Sequence, residues 1–303
     1  MRVCAISVDL DEIHHYYAIH GLAPSAEAAH AVYDTALARY RDFASVARLP
    51  LTLFAVGADL ARAESAAALR QLAQLGHEVG NHSFDHWYDL SRRPREQIAS
   101  QITRTNEAIR ACTGQGPSGF RAPGYVMSDE VYAAVAASGL RYSSSVFPCP
   151  SYYLAKLAKL AELQLRGRGS ESIQAGPAVL LAPRTPYRVG RPYWRTGSGL
   201  LELPIGVTPR LRLPIIGTSL MLAGPSWARR LLRGLVGQSF VNLELHGIDL
   251  LDEHDQLSEL GQHQFDLRIP LERKWQTLLG LVDELRDAGY QFVRLDEAAR
   301  LAS

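Results

Sequence analysis

VCAISVDLDE, residues 3–12, is an apolar run that stops on two carboxylates, Asp9 and Asp11, with Glu12 behind them. Val3–Val8 reads as a buried strand, and acids at its carboxyl end are what an α/β enzyme places at the mouth of its sheet. Working outward, the same grammar recurs along the chain. Strand candidates follow at 51–56, 78–81, 119–121, 142–145, 200–205, 240–245 and 291–295. Amphipathic stretches of helical length lie between them at 26–44, 59–75, 94–112, 129–138 and 271–288. Gly76, Gly139 and Gly289 each follow a periodic run, as residues just past a helix end do, and Ser91 with Pro94 suits a helix start. Strands alternating with helices predict an α/β fold with a parallel sheet.

The 303 residues suffice for a sizeable core. The chain opens without a basic n-region or a long apolar segment, so it is expected to act in the cytoplasm. The three scattered cysteines, Cys4, Cys112 and Cys149, form neither a disulfide framework nor a thiolate metal motif. Net charge is +1, but its distribution is uneven. Residues 151–238 hold thirteen Lys and Arg against three Glu, leaving nineteen basic and twenty-eight acidic residues elsewhere. Residues 150–235, rich in Pro, Gly and Arg, break the α/β rhythm and are expected to be a basic insertion in a single domain spanning 1–303. Such a segment is either a solvated surface or a site for an anionic partner. Within it, Leu154, Leu157, Leu160 and Leu163 recur every three residues with Lys156, Lys159 and Arg166 between them. That pattern fits a helix packed on its own domain or one making peripheral contact with the inner membrane face. Tyr187, Arg188, Arg191, Tyr193, Trp194 and Arg195 form an aromatic, basic cluster suited to phosphate. No nucleic-acid-binding module is recognisable, and no nucleic-acid partner is expected.

Four polar constellations fall just after strand candidates. Asp9 and Asp11 are two apart, so strand alternation would put both on one face, where two carboxylates repel unless a cation or proton intervenes. A capping cluster ahead of Glu12 is the bland alternative. NHSFDH (81–86) sets His82 and His86 four apart, the spacing at which a helical turn lets two imidazoles meet one ion. FRAPGY (120–125) and VNLELHGID (241–249) add Arg121, Tyr125, His246 and Asp249. One His₂Asp set with open positions would make a catalytic site rather than a structural one.

In this order the residues resemble the NodB-type polysaccharide deacetylases, the carbohydrate esterase family four-like enzymes that remove N-acetyl groups. Asp9-x-Asp11, His82-Ser83-Phe84-Asp85-His86, Arg121-Ala122-Pro123, the Ser-rich YSSSVFP and Leu245-His246 are similar to that family's successive motifs. The Asp-x-Asp spelling is closer to its intracellular branch, with peptidoglycan-deacetylase-like, allantoinase-like and lipid-linked aminoarabinose deformylase members, than to secreted chitin deacetylases. The resemblance implies a distorted (β/α)7 barrel. It implies Asp11, His82 and His86 as ligands of a divalent metal, usually Zn2+ and sometimes Co2+, Ni2+ or Fe2+. It further implies Asp9 as general base, Arg121 as its charge partner, His246 as general acid, and a backbone N–H near Tyr125 for the oxyanion. Tyr125, Trp87 and Asp249 are expected to meet substrate.

Amide hydrolysis needs both a base for water and an acid for the leaving amine, and residues of both types are present. Two departures stand out. Ser143 occupies a place where the family usually carries an Asp, whose part would pass to Asp249, and the Arg-x-Pro element continues Gly-Tyr. The expected activity is divalent-metal-dependent amide hydrolysis on an N-acylated amino sugar, free or phosphate- or lipid-linked. Alternatives are a cyclic-imide or allantoin-type hydrolase and a non-catalytic metal-binding module. A non-haem iron oxygenase is disfavoured because its carboxylate normally lies two residues from a histidine.

Overall fold

A computed structural model describes residues 1–26 and 28–302. Its sheet holds nine strands: β1 (Arg2–Asp9), β2 (Thr52–Ala55), β3 (Glu78–Asn81), β4 (Gly119–Phe120), β5 (Tyr142–Ser143), β6 (Tyr187–Val189), β7 (Thr196–Glu202), β8 (Phe240–His246) and β9 (Tyr290–Phe292). The spatial order is β6-β7-β5-β4-β3-β2-β1-β8, with β9 against β1. Every pairing is parallel except β6 with β7. Seven parallel strands, β8-β1-β2-β3-β4-β5-β7, therefore curl into the distorted barrel expected from the sequence, with β6 and β9 as additions.

The helices are α1 (Ile13–Ile19), α2 (Leu37–Ala47), α3 (Ala63–Gln74), α4 (Arg95–Thr113), α5 (Asp129–Ala137), α6 (Pro150–Leu165), α7 (Gly217–Arg233), α8 (Ser258–Gly261), α9 (Leu271–Asp287) and α10 (Leu295–Ala302). Their spacing explains them. In α4, Ile98, Ile102, Thr105, Ile109 and Cys112 step by four and three and are buried, and Gly114 ends the helix at φ 80°. β1 is buried on both faces from Val3 onward, as a strand with helices on one side and barrel interior on the other must be. The largest apolar cluster joins β1, β2 and β8 to α1–α3, α7 and α9; a second joins β4 to α4, α5 and the β6 hairpin.

Several expectations shift. The helix expected at 26–44 begins as a π-helical turn, Val32–Ala36, and runs on to Ala47; Ala26, its expected start, is a bend, and Glu27 lies outside the described residues. Ser91 sits inside a 3₁₀ turn (Leu90–Arg92), and Pro94 itself caps α4. The strand expected at 291–295 ends at Phe292 because Leu295 opens α10. Strand β6 and helix α7 were hidden by composition: β6 by its Pro-, Gly- and Arg-rich surroundings, α7 by Gly224 and Pro225, which kink it.

The leucines of α6 do not form one face. A step of three residues turns 300°, so successive leucines drift around the helix. Leu154 and Leu157 are exposed at 63% and 47%, whereas Leu163 is buried at 3%.

The barrel closes unevenly. Between β7 and β8 a side chain does much of the joining: Asn242 donates to Ser144 Oγ (2.9 Å) and to the Leu203 and Pro204 carbonyls, and accepts from Ser7 Oγ (3.0 Å). The Gly206 N–H adds a bond to the Asn242 carbonyl, at 2.9 Å.

Candidate active site

Parallel strands bring their carboxyl ends to one mouth. Asp9, the last residue of β1, lies beside His246, the last of β8, and Asn81 at the end of β3 pairs with Phe120 just before Arg121. Asp11 lies two residues beyond β1, in the connection to α1, so strand alternation does not orient it.

His82 and His86 are not on a helix. They belong to a tight loop in which Ser83 and His86 take φ of 64° and 52°, a conformation costly for residues with side chains. Buried polar groups hold it. Asn81 Oδ1 accepts from the Ser83 N–H while its Nδ2 donates to the Ile102 carbonyl and Asn106 of α4. Gln101 accepts from the Phe84 and Asp85 N–H groups and donates to the Asp85 carboxylate. The loop is thus fastened to α4 at both ends, and the i, i+4 spacing reaches one point by a different route from the helical one expected.

That point is a donor cluster. His82 Nε2 lies 3.0 Å and His86 Nε2 3.2 Å from Asp11 Oδ1, all three side chains are buried, and none of these atoms has a hydrogen-bond partner. His82 Nδ1 faces the Arg121 carbonyl at 2.9 Å, which leaves the Nε2 lone pair turned to the cluster. Unsatisfied buried donors and acceptors converging this closely are costly unless a cation or proton joins them. The set fits a divalent ion of the kind bound by two imidazoles and a carboxylate.

Asp9 stands beside it, with Oδ2 3.8 Å from His82 Nε2. Its other oxygen accepts from Arg121 Nη1 at 2.7 Å. Arg121 is fully buried, and its remaining groups donate to Ser7 Oγ, Ser144 Oγ and the Ser144 carbonyl while its guanidinium lies over the Phe54 ring. A buried cation with every arm engaged holds its partner carboxylate in one place. Asp9, Glu244 and His246 also lie close enough to share an ion, but Arg121 already neutralises Asp9, which argues for proton handling there instead.

On the opposite side His246 Nδ1 meets Glu244 Oε1 at 3.1 Å. Burial alone would lower the imidazolium pKa, but Glu244, with Asp11, Asp9 and Asp249 behind it, raises it to about 9. Burial in turn pushes the Glu244 carboxyl up to about 7. His246 Nε2 is left facing the Tyr125 hydroxyl at 3.3 Å.

Glu244 corrects the sequence reading. Asp249, expected to stand in for the missing Asp at Ser143 and to meet substrate, is buried and accepts from the His246 backbone N–H at 2.7 Å, so it fixes the turn after β8 and not the ring. Ser143 Oγ bonds Ser145 Oγ instead. The missed signal was in plain view: Glu244 and His246 are two apart on β8, hence on one face. The backbone near Tyr125, where an oxyanion donor is expected, is a tight turn. The Tyr125 N–H is spent on the Ala122 carbonyl at 3.1 Å, in a turn where Gly124 and Tyr125 both have positive φ.

The mouth opens into a cavity of about 520 Å³ lined by Asp9, Asp11, His246 and Tyr125 at one end and by α6 and α7 along its sides. Trp87, expected at the substrate, borders a neighbouring depression with His14 and His15 and stacks on Arg93. The Tyr187–Arg195 cluster is likewise displaced: Tyr187 and Tyr193 are buried under the β6 hairpin, Arg191 borders a separate hollow, and neither Arg188 nor Arg195 lines the main cavity. Sequence reasoning also missed His15, whose ring centre is 4.3 Å from that of His86, and Tyr88, set edge-on to His86 at 4.8 Å.

A sequence model of the polysaccharide deacetylase family matches residues 34–143. A chitooligosaccharide deacetylase of Sinorhizobium fredii is 39% identical over 94 residues, 31% of this chain and 42% of that protein. The chain thus matches less than half the length of that relative. Among solved structures, a Mycobacterium smegmatis protein assigned as a polysaccharide deacetylase superposes with a TM-score of 0.59 at 16% identity, over 99% of this chain and 90% of that one. A family 4 acetyl xylan esterase from Clostridium thermocellum, in complex with a cobalt ion, gives 0.52 at 15% identity over 99% and 91%. At these identities the two structures speak to the fold.

Proposed function

The chain belongs to the NodB-type polysaccharide deacetylase family, and from that premise we propose that it is a divalent-metal-dependent hydrolase removing an N-acyl group from an amino sugar. The observation that carries the reading is the convergence on one mouth of Asp11, His82 and His86 with Asp9–Arg121 on one side and Glu244–His246 on the other. We take residues 1–303 as one catalytic unit with 150–235 as its elaboration. The buried free thiols suit a cytoplasmic setting. No helix among the described residues is long and apolar enough to cross a membrane.

In this mechanism Asp11, His82 and His86 would hold the ion, Zn2+ in the first instance with Co2+, Ni2+ or Fe2+ as substitutes. When bound, it supplies Lewis-acid polarisation of the acyl carbonyl and a lowered pKa for water. Asp9 accepts the water proton on Oδ2, its Oδ1 being held by Arg121, which aims the carboxylate. His246 enters protonated because Glu244 stabilises its imidazolium, and it delivers the Nε2 proton to the departing amine. Glu244 keeps Nδ1 occupied, so the proton released comes from the ring atom that faces the cavity.

The test is release of the carboxylic acid from N-acetyl amino sugars and chitooligosaccharides by protein stripped of metal and reloaded. Acetate production that vanishes on chelation and returns with Zn2+ is the expected result. Ring opening of cyclic imides without any amino-sugar deacylation would overturn the substrate reading, and no acid from any substrate with any metal would overturn the catalytic one.

A further inference from the structure

The cavity that holds the candidate site has walls that a sugar polymer does not need. Beyond the acid and imidazole groups and the rings of Tyr16, Tyr88, Tyr125 and Tyr152, which suit a sugar, α1, α6, α7 and the segment leading into α7 face it with Ile19, Leu160, Leu163, Ile216 and Leu222. Sugars are held by polar side chains and flat aromatic faces, whereas branched aliphatic walls gain chiefly by excluding water from a hydrocarbon.

The same cavity contains two ammonium groups, from Lys156 and Lys159. Lys159 pairs with Glu162 at 3.2 Å. Lys156 makes no ion pair among the described residues; its Nζ donates to the Gly124 carbonyl at 3.2 Å, next to Tyr125 of the active mouth, and lies 6.0 Å from the centre of the Tyr152 ring. Burial lowers its pKa to about 8, so the protonated form lacks the stabilisation a carboxylate would provide. A partly buried cation aimed into a ligand cavity without a counter-charge is a position an anion fills. The basic side of α6 thus faces the cavity, while its exposed side carries Leu154 and Leu157.

We infer that the substrate is an anionic glycolipid, an N-acyl amino sugar joined to a hydrocarbon chain, with Lys156 reading the anionic group and the aliphatic walls of α6 and α7 receiving the chain. The inference relies on the hydrolase reading for its chemistry but not for its binding site. The anionic group is a phosphate or a carboxylate, and both suit a lysine.

Binding is tested first, on metal-free protein, by titration calorimetry with ethyl and decyl phosphate and with decanoate. Each buried methylene contributes about 0.8 kcal/mol, about a fourfold change in Kd. Decyl phosphate is expected to bind at least about 100-fold tighter than ethyl phosphate. Lys156→Met is expected to weaken decyl phosphate about tenfold, with Lys156→Arg restoring it, and Leu222→Ser, at an exposed position, to flatten the chain-length dependence. Preference for decyl phosphate over decanoate assigns the anion as phosphate, and the reverse assigns a carboxylate. Equal Kd for ethyl and decyl phosphate, or a decyl phosphate Kd indifferent to Lys156→Met, overturns the inference. Activity follows, comparing N-acetylglucosaminyl decyl phosphate with chitotriose on metal-loaded protein. A kcat/KM preference of at least about tenfold for the lipid, collapsing in Lys156→Met, supports it, and equal or better turnover of chitotriose overturns it while leaving the hydrolase reading intact. Chain-dependent binding without hydrolysis of either compound supports the lipid cavity and overturns the hydrolase reading.

Discussion

Single side chains carry the sharpest tests. Asp9→Asn should retain the ion and lower kcat by about 10²- to 10⁴-fold, because it removes a proton acceptor while leaving all three ligands, whereas His82→Ala should lose the ion outright. Metal analysis of both variants after dialysis checks this, and stoichiometric metal in His82→Ala would break the ligand assignment. The acid is testable by pH. His246 must be protonated to act, and with its pKa raised to about 9 the rate should hold through neutrality and fall as pH rises past that value. Glu244→Gln removes the principal cause of the rise, so the alkaline limb of kcat should move toward neutral pH by about one unit or more. A limb that stays put would take the acid role from His246. Most of this constellation was legible in the sequence because motif residues at strand ends keep their order. Glu244 was not, since attention to Leu245-His246 as a pair obscured the i, i+2 relation that strand geometry makes decisive.

Elements, rather than residues, decide whether the donors meet. The loop bearing both histidines has no secondary structure of its own and takes its shape from α4, so Gln101→Leu, which strands the half-buried N–H groups of Phe84 and Asp85, should weaken metal affinity about tenfold or more and lower stability by about 1–3 kcal/mol. Unchanged affinity in a metal titration would show that the loop holds itself. A second element test concerns Glu78, where β3 meets β2, β5 and α10 through Thr52, Tyr142 and the Asp296 N–H. Burial raises its pKa from 4.5 to about 7. A carboxyl whose folded pKa exceeds its unfolded one favours the fold below pH 4.5 and loses that contribution as pH rises through 7. Relative to Glu78→Gln, the wild type should therefore lose on the order of 3 kcal/mol between pH 4.5 and 8, read as diverging Tm values. Apolar periodicity gave α4, α9 and five parallel strands closely. It could not give α1, whose His-His-Tyr-Tyr sequence lacks a recognisable stripe and whose start depends on the Glu12 side chain accepting from the Ile13 N–H. Nor could it give the π-helical entry to α2, a local accommodation that no spacing rule encodes.

Across the whole molecule, alternation of strand and helix specified the parallel barrel, but not how its ends would meet. Asn242 is one letter inside an apolar strand, and nothing around it in sequence indicates that it serves β1 and the segments after β5 and β7 at once. Asn242→Leu should cost about 2–4 kcal/mol by leaving several buried partners unsatisfied, and urea unfolding would measure it; a loss below about 1 kcal/mol would mean the seam relaxes around the change. The placement of the insertion was equally beyond sequence reading: its arginine-rich hairpin lies away from the main cavity, while its first helix forms a wall of it. That wall and the wall from α7 stand near the seam, where the barrel is joined by side chains and a few isolated bonds in place of a continuous ladder. A ladder must shift by whole residues, flipping each side chain to the other face, but a stitched seam can spread by fractions of an ångström. Cavity width is therefore the dimension of this barrel that sequence change can retune in small steps, while the spacing of the ligands, set by the turn after β1 and by the loop after β3 that α4 fastens, stays constant.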